Sequence, residues 1–169
     1  SKLASQGCEV ITVALGVRQA ITAVATAKKM GLTDLKFIGS SASFHTAIAK
    51  VPGGVTEGFY AAAGWSDIVA RMGHPDVAKW VASYQGATGE FPGSGALLGR
   101  SAAETLVRAL EAAGHDLTPE SFQAGMESLS FEDTISDVQV DYSADDHQGA
   151  DLVVISQIQE GNWTELVRK

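Results

Sequence analysis

The sequence predicts an α/β fold with a parallel sheet flanked by helices, and three features of residues 8–41 carry that prediction. Residues 9–15 form a short run rich in Val and Ile, bounded by Gly7 and Gly16, as a buried strand would be. From Val17 the period changes. Val17, Ala20, Ile21, Val24 and Ala27 fall on one helical face, while Arg18, Gln19, Lys28 and Lys29 lie elsewhere, which predicts a helix over 17–28. Gly31 supplies its stop, two lysines occupy its last turn, and residues 35–39 return as a second apolar strand. Strand, helix and strand imply a parallel pair joined by a right-handed crossover. In open α/β sheets, ligands sit beyond the carboxyl ends of such strands. Those ends are Leu15-Gly16-Val17 and Gly39-Ser40-Ser41.

The remaining elements follow in order. Residues 43–50 read as a short helix closed by Val51-Pro52-Gly53-Gly54, and 58–63 as a third strand broken by Gly64-Trp65-Ser66. His74-Pro75 opens a helix whose face carries Val77, Trp80, Val81 and Tyr84. The longest helix spans 94–113, with a stripe at Leu97, Ala103, Leu106, Val107 and Leu110 and a stop at Gly114. Thr118 and Pro119 suit the cap and first position of a further helix with Phe122, Met126 and Leu129 on its apolar face. Residues 138–142 and 151–159 are strands. Glu160-Gly161-Asn162 then turns the chain into a last strand over 163–167, making a hairpin.

Composition narrows the function. The 169 residues are 45% hydrophobic and 19% charged, which suits a packed domain. Twenty acids against 12 bases give a net charge of -8, which disfavours nucleic acid as a partner. No apolar run approaches the roughly 20 residues that span a bilayer. Cys8 is the only cysteine, so no internal disulfide forms, and it reads as a small buried hydrophobe at a strand start. Ser1-Lys2-Leu3 does not resemble a secretory leader, and residues 1–7 read as the tail of a helix already under way.

Catalytic motifs are weak. His45, His74, His115 and His147 have no metal-ligand spacing and are expected at surfaces or caps. Gly39-Ser40-Ser41-Ala42-Ser43 fails the nucleophile-elbow pattern at its last position. The glycines at 93, 95 and 99 open a helix but lack the Lys-Ser/Thr of a phosphate loop. Asn162-Trp163-Thr164 matches a glycosylation sequon by coincidence of composition. No catalytic residue, metal or cofactor is expected.

The run ALGVRQAITAVATAKKMGL…KFIGSS, then GGVTEGFYAAAGW, and finally YSADDHQGADLVVISQIQEGNW, resembles the periplasmic substrate-binding proteins of branched-chain-amino-acid-type ABC transporters. The resemblance implies a type I periplasmic-binding-protein fold, incomplete here, with the N-terminal half absent. It implies that residues 1–64 and 142–169 form the C-terminal lobe and 65–141 the returning segment of the N-terminal lobe, with crossings near 63–66 and 138–142. It implies a small-molecule ligand held between two lobes, a membrane permease as partner, a periplasmic location and no enzymatic activity. The stripes of the 77–84 and 97–110 helices would then lack strands to cover, so the missing lobe or another chain is expected over them. The alternatives are a ligand-sensing regulatory or receptor domain of the same fold, and an α/β enzyme.

Within this resemblance the candidate ligand-binding residues are Gly16, Val17, Arg18, Ser40, Ser41, Ala42, Trp65 and Arg100. The turns at 16–18 and 40–42 should converge on one crevice. The position matching Ser41 commonly carries an acid that pairs with an amino-acid ammonium, and that of Arg100 often a tyrosine. Loss of the acid and gain of a guanidinium imply a carboxylate ligand without an amine, such as an aromatic or aliphatic acid. Against this, Ser41 also suits a helix cap or turn, Arg100 an i,i+4 ion pair with Glu104, and Trp65 simple packing.

Overall fold

A computed structural model describes residues 2–169. In chain order the first elements are α1 (Lys2–Ser5), β1 (Val10–Val13), α2 (Val17–Lys29), β2 (Lys36–Gly39), α3 (Thr46–Ala49) and β3 (Tyr60–Ala63). Then come α4 (Pro75–Thr88), α5 (Ser94–Ala113), α6 (Pro119–Glu127), β4 (Ser130–Asp133), β5 (Val138–Asp141), β6 (Val154–Gln159) and β7 (Asn162–Arg168). They fall into two compact units. The first runs to Met72 and takes in Val153–Lys169; the second spans Gly73–Leu152.

The first unit is a five-stranded sheet in the order β1-β2-β3-β6-β7. β1, β2 and β3 are mutually parallel; β6 and β7 add antiparallel. The expected βαβ unit is present, and its helix buries Ala20, Val24 and Ala27 against Phe37, Phe44, Phe59 and Trp163. Trp163 packs its ring 4.9 Å from that of Phe44, and its indole N–H donates to the carbonyl of His45 at 3.1 Å. The β6–β7 turn sets Glu160 and Gly161 at φ 53° and 70°, the left-handed pair that matches strand twist. The Glu57 carboxylate accepts from both turn amides, at 2.8 and 3.3 Å.

The second unit joins α4, α5 and α6 to the β4–β5 hairpin. Gly125 lets α6 lie flush on α5, since an added Cβ would come within 2.6 Å of the Ala109 carbonyl oxygen. Thr118 caps α6 with a reciprocal bond to Ser121, and Pro119 takes the first helical position, as read from sequence. Leu106, Val107 and Leu110 are exposed along α5, whereas Leu97 is buried. Of the two stripes expected to be bare, that of 97–110 is bare from Ala103 onward, whereas Val77 and Val81 of the 77–84 stripe are buried, against expectation.

Several expectations are corrected. Cys8 is exposed rather than buried, because β1 begins only at Val10 and lies at the sheet edge. The helix expected over 43–50 is split. A 3-10 turn at Ser41–Ser43 precedes α3, because Phe44 leaves the helical path to join the aromatic cluster and His45 is extended as the α3 cap. β4 was not expected at all. The two compact units divide at 72/73 and 152/153, while the lobes implied by the resemblance divide at 64/65 and 141/142. Residues 65–72 stay with the first unit because Trp65 stacks edge-on to Phe44 and the Asp67 carboxylate accepts from Thr46. Residues 142–149 stay with the hairpin, where Tyr142 N–H donates to Leu129 and Asp141 N–H to the carbonyl of Gly149.

Gly39 ends β2 with no room for a side chain: a Cβ would stand 2.6 Å from that of Ser43 and 2.8 Å from the Phe59 ring. Gly39→Ala is expected to cost about 2 kcal/mol in chemical denaturation, the range for overpacking. Gly16→Ala meets only the Gln19 amide oxygen, at 3.3 Å, and should stay within about 0.5 kcal/mol.

Candidate ligand site

The carboxyl ends of β1 and β2 are stitched together. Ser40 N–H donates to the carbonyl of Val13 at 3.0 Å, and the buried Ser43 hydroxyl donates to that of Leu15 at 2.5 Å. The parallel register puts Val13 opposite Gly39, so the two turns leave the sheet at the same level. Gly16 is the extended residue before α2 and Ser40 that before the 3-10 turn; neither helix start has a side-chain cap. The first-turn amides of α2 thus lack intrahelical acceptors. The hydroxyls of Ser40 and Ser41 make no hydrogen bond among the described residues, and Ser41 and Ala42 are exposed.

These turns bring Gly16, Val17, Arg18, Ser40, Ser41 and Ala42 to one end of the sheet. Val17 is half-buried against the core; Gly16 and Arg18 are exposed. Trp65 follows the carboxyl end of β3 and packs against Phe44, ring centres 6.2 Å apart. Of Ser40 and Ser41, it is Ser40 that occupies the cap position. Ser43 was not singled out in the sequence, although a serine four residues after a strand-ending glycine is the side chain that ties the turns.

Asp67 lies in the same unit. Burial pushes its carboxyl up from the ordinary value, against lowering by Thr46, the Ala70 and Val69 amides and Lys50. Being raised in the folded state, it takes up protons more readily there, so it favours folding in acid and disfavours it as pH rises through its shifted value. Asp67→Asn is expected to flatten the fall in stability that begins as pH rises above the ordinary carboxylate value near 3.8, read as Tm against pH.

Arg100 belongs to the second unit. Its guanidinium donates to Asp133 at 2.6 Å and pairs also with Glu104, the i,i+4 partner. Asp133 is 2% exposed and accepts in addition from the Ser101 hydroxyl at 2.5 Å and the Ile135 amide at 3.1 Å. Burial works to raise its carboxyl, but Ser101, Ser136 and the Arg100 charge outweigh that and hold it below the ordinary carboxylate value. Arg108 reaches the other oxygen of Glu104 and lies over the Phe131 ring at 4.3 Å. The Arg100 charge is therefore matched by two carboxylates within its own unit. Sequence reading missed Asp133, whose only signal was an acid in a segment too polar to look like a strand.

The histidines act as caps or lie at the surface. His45 and His74 accept from the amides of Ala47 and Asp76, and His147 contacts Glu127. Among the described residues no group of His, Cys, Asp and Glu is placed to hold a metal, and no helix is long and apolar enough to cross a membrane.

A family model described as periplasmic binding protein matches residues 1–162. The chain belongs to that family. Its members are solute-binding proteins, not enzymes. Among solved structures, a fatty acid ABC transporter substrate-binding protein from Thermomonospora curvata superposes with a TM-score of 0.81 at 22% identity, covering 98% of this chain and 44% of that one. A branched chain amino acid ABC transporter protein from Thermus thermophilus with bound valine gives 0.78 at 16% identity, covering 98% and 47%. A solute binding protein from R. palustris in complex with benzoate gives 0.76 at 17%, covering 99% and 44%. No curated protein matches the chain. The fold is thus the type I periplasmic binding-protein fold, and the chain spans a little under half the length of the structures it matches.

Asp133 carries the prediction for the second unit. Asp133→Asn leaves Arg100 short of a buried partner and is expected to cost about 3 kcal/mol. Because the folded-state pKa is depressed, the stabilisation is complete above the unfolded value near 3.8 and fades as pH falls below it toward the folded value. The variant should therefore lose the wild-type steepness of unfolding below pH 4, followed by circular dichroism.

Proposed function

We propose that this chain is part of an extracytoplasmic solute-binding component of an ABC importer, located in the periplasm and delivering its ligand to a membrane permease. The carrying observation is the pair of stitched turns at the carboxyl ends of β1 and β2, with amides and hydroxyls that have no internal acceptor. In this reading they form one wall of the ligand site, with Trp65 packing behind it.

The ligand we propose is a small amine-free carboxylic acid, aromatic or aliphatic. The residues at 16–18 and 40–42 include Arg18 and no acid, and the amino end of α2 adds a partial positive charge. A carboxylate is suited to such a wall, whereas an ammonium group finds no counter-ion on it. Valine, benzoate and fatty acids, the ligands named for the three structural relatives, share a carboxylate, and two of the three lack an amine. Arg100 is already paired with Asp133 and Glu104, so the reading places carboxylate recognition on the turns rather than on that side chain.

Ligand that binds only the folded state raises its melting temperature. In a thermal-shift series on the full product of the gene, benzoate and short fatty acids are expected to raise Tm, and leucine and valine to leave it unchanged. Ser41→Asp should weaken the acids by about tenfold, the effect of one unfavourable charge contact near 1.4 kcal/mol. A shift with leucine and not with acids overturns the ligand class while leaving the family role in place.

A further inference from the structure

We propose that the amino end of the first unit's sheet holds a second small-molecule site, one that takes an amphipathic monoanion: a carboxylate or sulfonate on an apolar chain or ring. The turns at 16–18 and 40–42 lie at the opposite, carboxyl end of the same strands, so this site is separate from them and does not depend on the transport reading. The cavity measures about 410 Å3, within the range of pockets that enclose small ligands. Its origin is in the ladder. β2 and β3 pair only at Ile38–Tyr60 and Gly39–Ala61. Before those positions the chain entering β3 is drawn to its other neighbour: Gly58 N–H donates to the carbonyl of Ile158 at 3.0 Å, and Ile158 N–H to that of Phe59 at 2.9 Å. The amino ends of β2 and β3 are left without rungs between them, and residues 35–37 and 57–60 line the cavity from the two sides.

The lining is apolar where it is buried and charged where it is exposed. Val24, Ala27, Phe37 and Phe59 are buried. Gly31, at φ 75°, turns the chain back after α2 so that Leu32 N–H reaches the Ala27 carbonyl at 3.0 Å, which adds Leu32 and Leu35 to the same wall. Two ammonium groups stand on the exposed part, those of Lys28 and Lys36, and neither enters an ion pair among the described residues. Lys28 has only the Gly54 carbonyl, at 3.5 Å. Of the two acids on the lining, Glu57 gives both oxygens to the amides of Glu160 and Gly161, so its charge is answered there. Asp34 alone remains to face two lysines. One negative charge from a ligand balances that excess, and the half-buried Tyr60 hydroxyl, which makes no hydrogen bond among the described residues, is a further donor on the lining. Hydrogen bonds to an ionised acceptor are the strong ones, while the buried wall takes the apolar body.

Titration calorimetry with octanoate as the probe, on the full product of the gene, tests this. Lys28 and Lys36 are exposed, so Lys28→Glu with Lys36→Glu should keep the wild-type circular dichroism. The pair is expected to weaken one octanoate binding event by more than about tenfold, the scale of a lost charge contact. At that site 1-octanol, with the chain and no charge, should bind at least about tenfold more weakly than octanoate. Ser41→Asp separates the two readings. An event that survives Ser41→Asp and is lost with the lysines supports this site, even where Ser41→Asp changes nothing and the carboxylate reading of the turns falls. If Ser41→Asp removes all octanoate binding, the acid lies only at the turns and this proposal is overturned. Octanoate binding that the lysine pair leaves unaltered, or no binding at all, overturns it as well.

Discussion

The upper end of the first unit depends on one close approach, that of the Gly39 backbone to Ser43 and Phe59. Because nothing projects from Gly39, the chain turns at once after β2, and Ser43 comes within reach of the Leu15 carbonyl. That bond, with Ser40 N–H on Val13, fixes the turn after β1 to the turn after β2. Phe44 is then carried into contact with Trp163 and Trp65, so the same turn that shapes the candidate wall also anchors the aromatic core. Rigidity at the wall is a by-product of packing behind it, which is how a binding surface is preorganised at little cost in ordering on ligand capture.

The second unit depends on a different constraint. Asp133 is buried at the end of a two-stranded hairpin that could not hold its place alone. A buried carboxylate is tolerable only with its charge matched and its oxygens occupied. Here Arg100 and Ser101 from α5 and the amides of Ile135 and Ser136 do both. The pairing ties hairpin to helix, and it also explains an arginine on the edge of an apolar stripe without invoking a ligand. Glu104 and Arg108 extend the alternation of charge along α5 and fix where Arg100 can point.

Much of the first unit was legible because its strands and helices carry strong, uninterrupted periods. The β1–α2–β2 unit, the third strand and the final hairpin all follow from Val/Ile runs, glycine stops and a two-residue turn. What escaped was decided by tertiary contact. Ser130-Phe131-Glu132-Asp133 has one apolar residue in four, so no local pattern marks it as β4; its pairing with β5 and the bonds at Asp133 make it a strand. Residues 43–50 have helical composition, yet the aromatic cluster withdraws Phe44 from the helix. Cys8 was misjudged because a residue near a strand start is buried only if that strand is flanked on both sides. The turn residues of the candidate site were legible from topology alone, while the second partner of Arg100 lay 33 positions away in sequence.

Two kinds of bare apolar surface now have different physical origins. On α5, the exposed Leu106, Val107 and Leu110 repeat at helical spacing, so what they lack is a layer for a helix to rest on. On the first unit's sheet, Ile38, Ala62 and Ile155 alternate with buried neighbours along β2, β3 and β6, so one face of those strands is covered and the other is not. The sheet also has a free edge, at β1, beside its bare residues. A partner that cured only the helical stripe would leave that edge and face exposed. The same argument limits what a second copy could do: two identical chains bring two identical open edges, and parallel pairing at β1 cannot be satisfied by a two-fold axis, which would set the strands antiparallel.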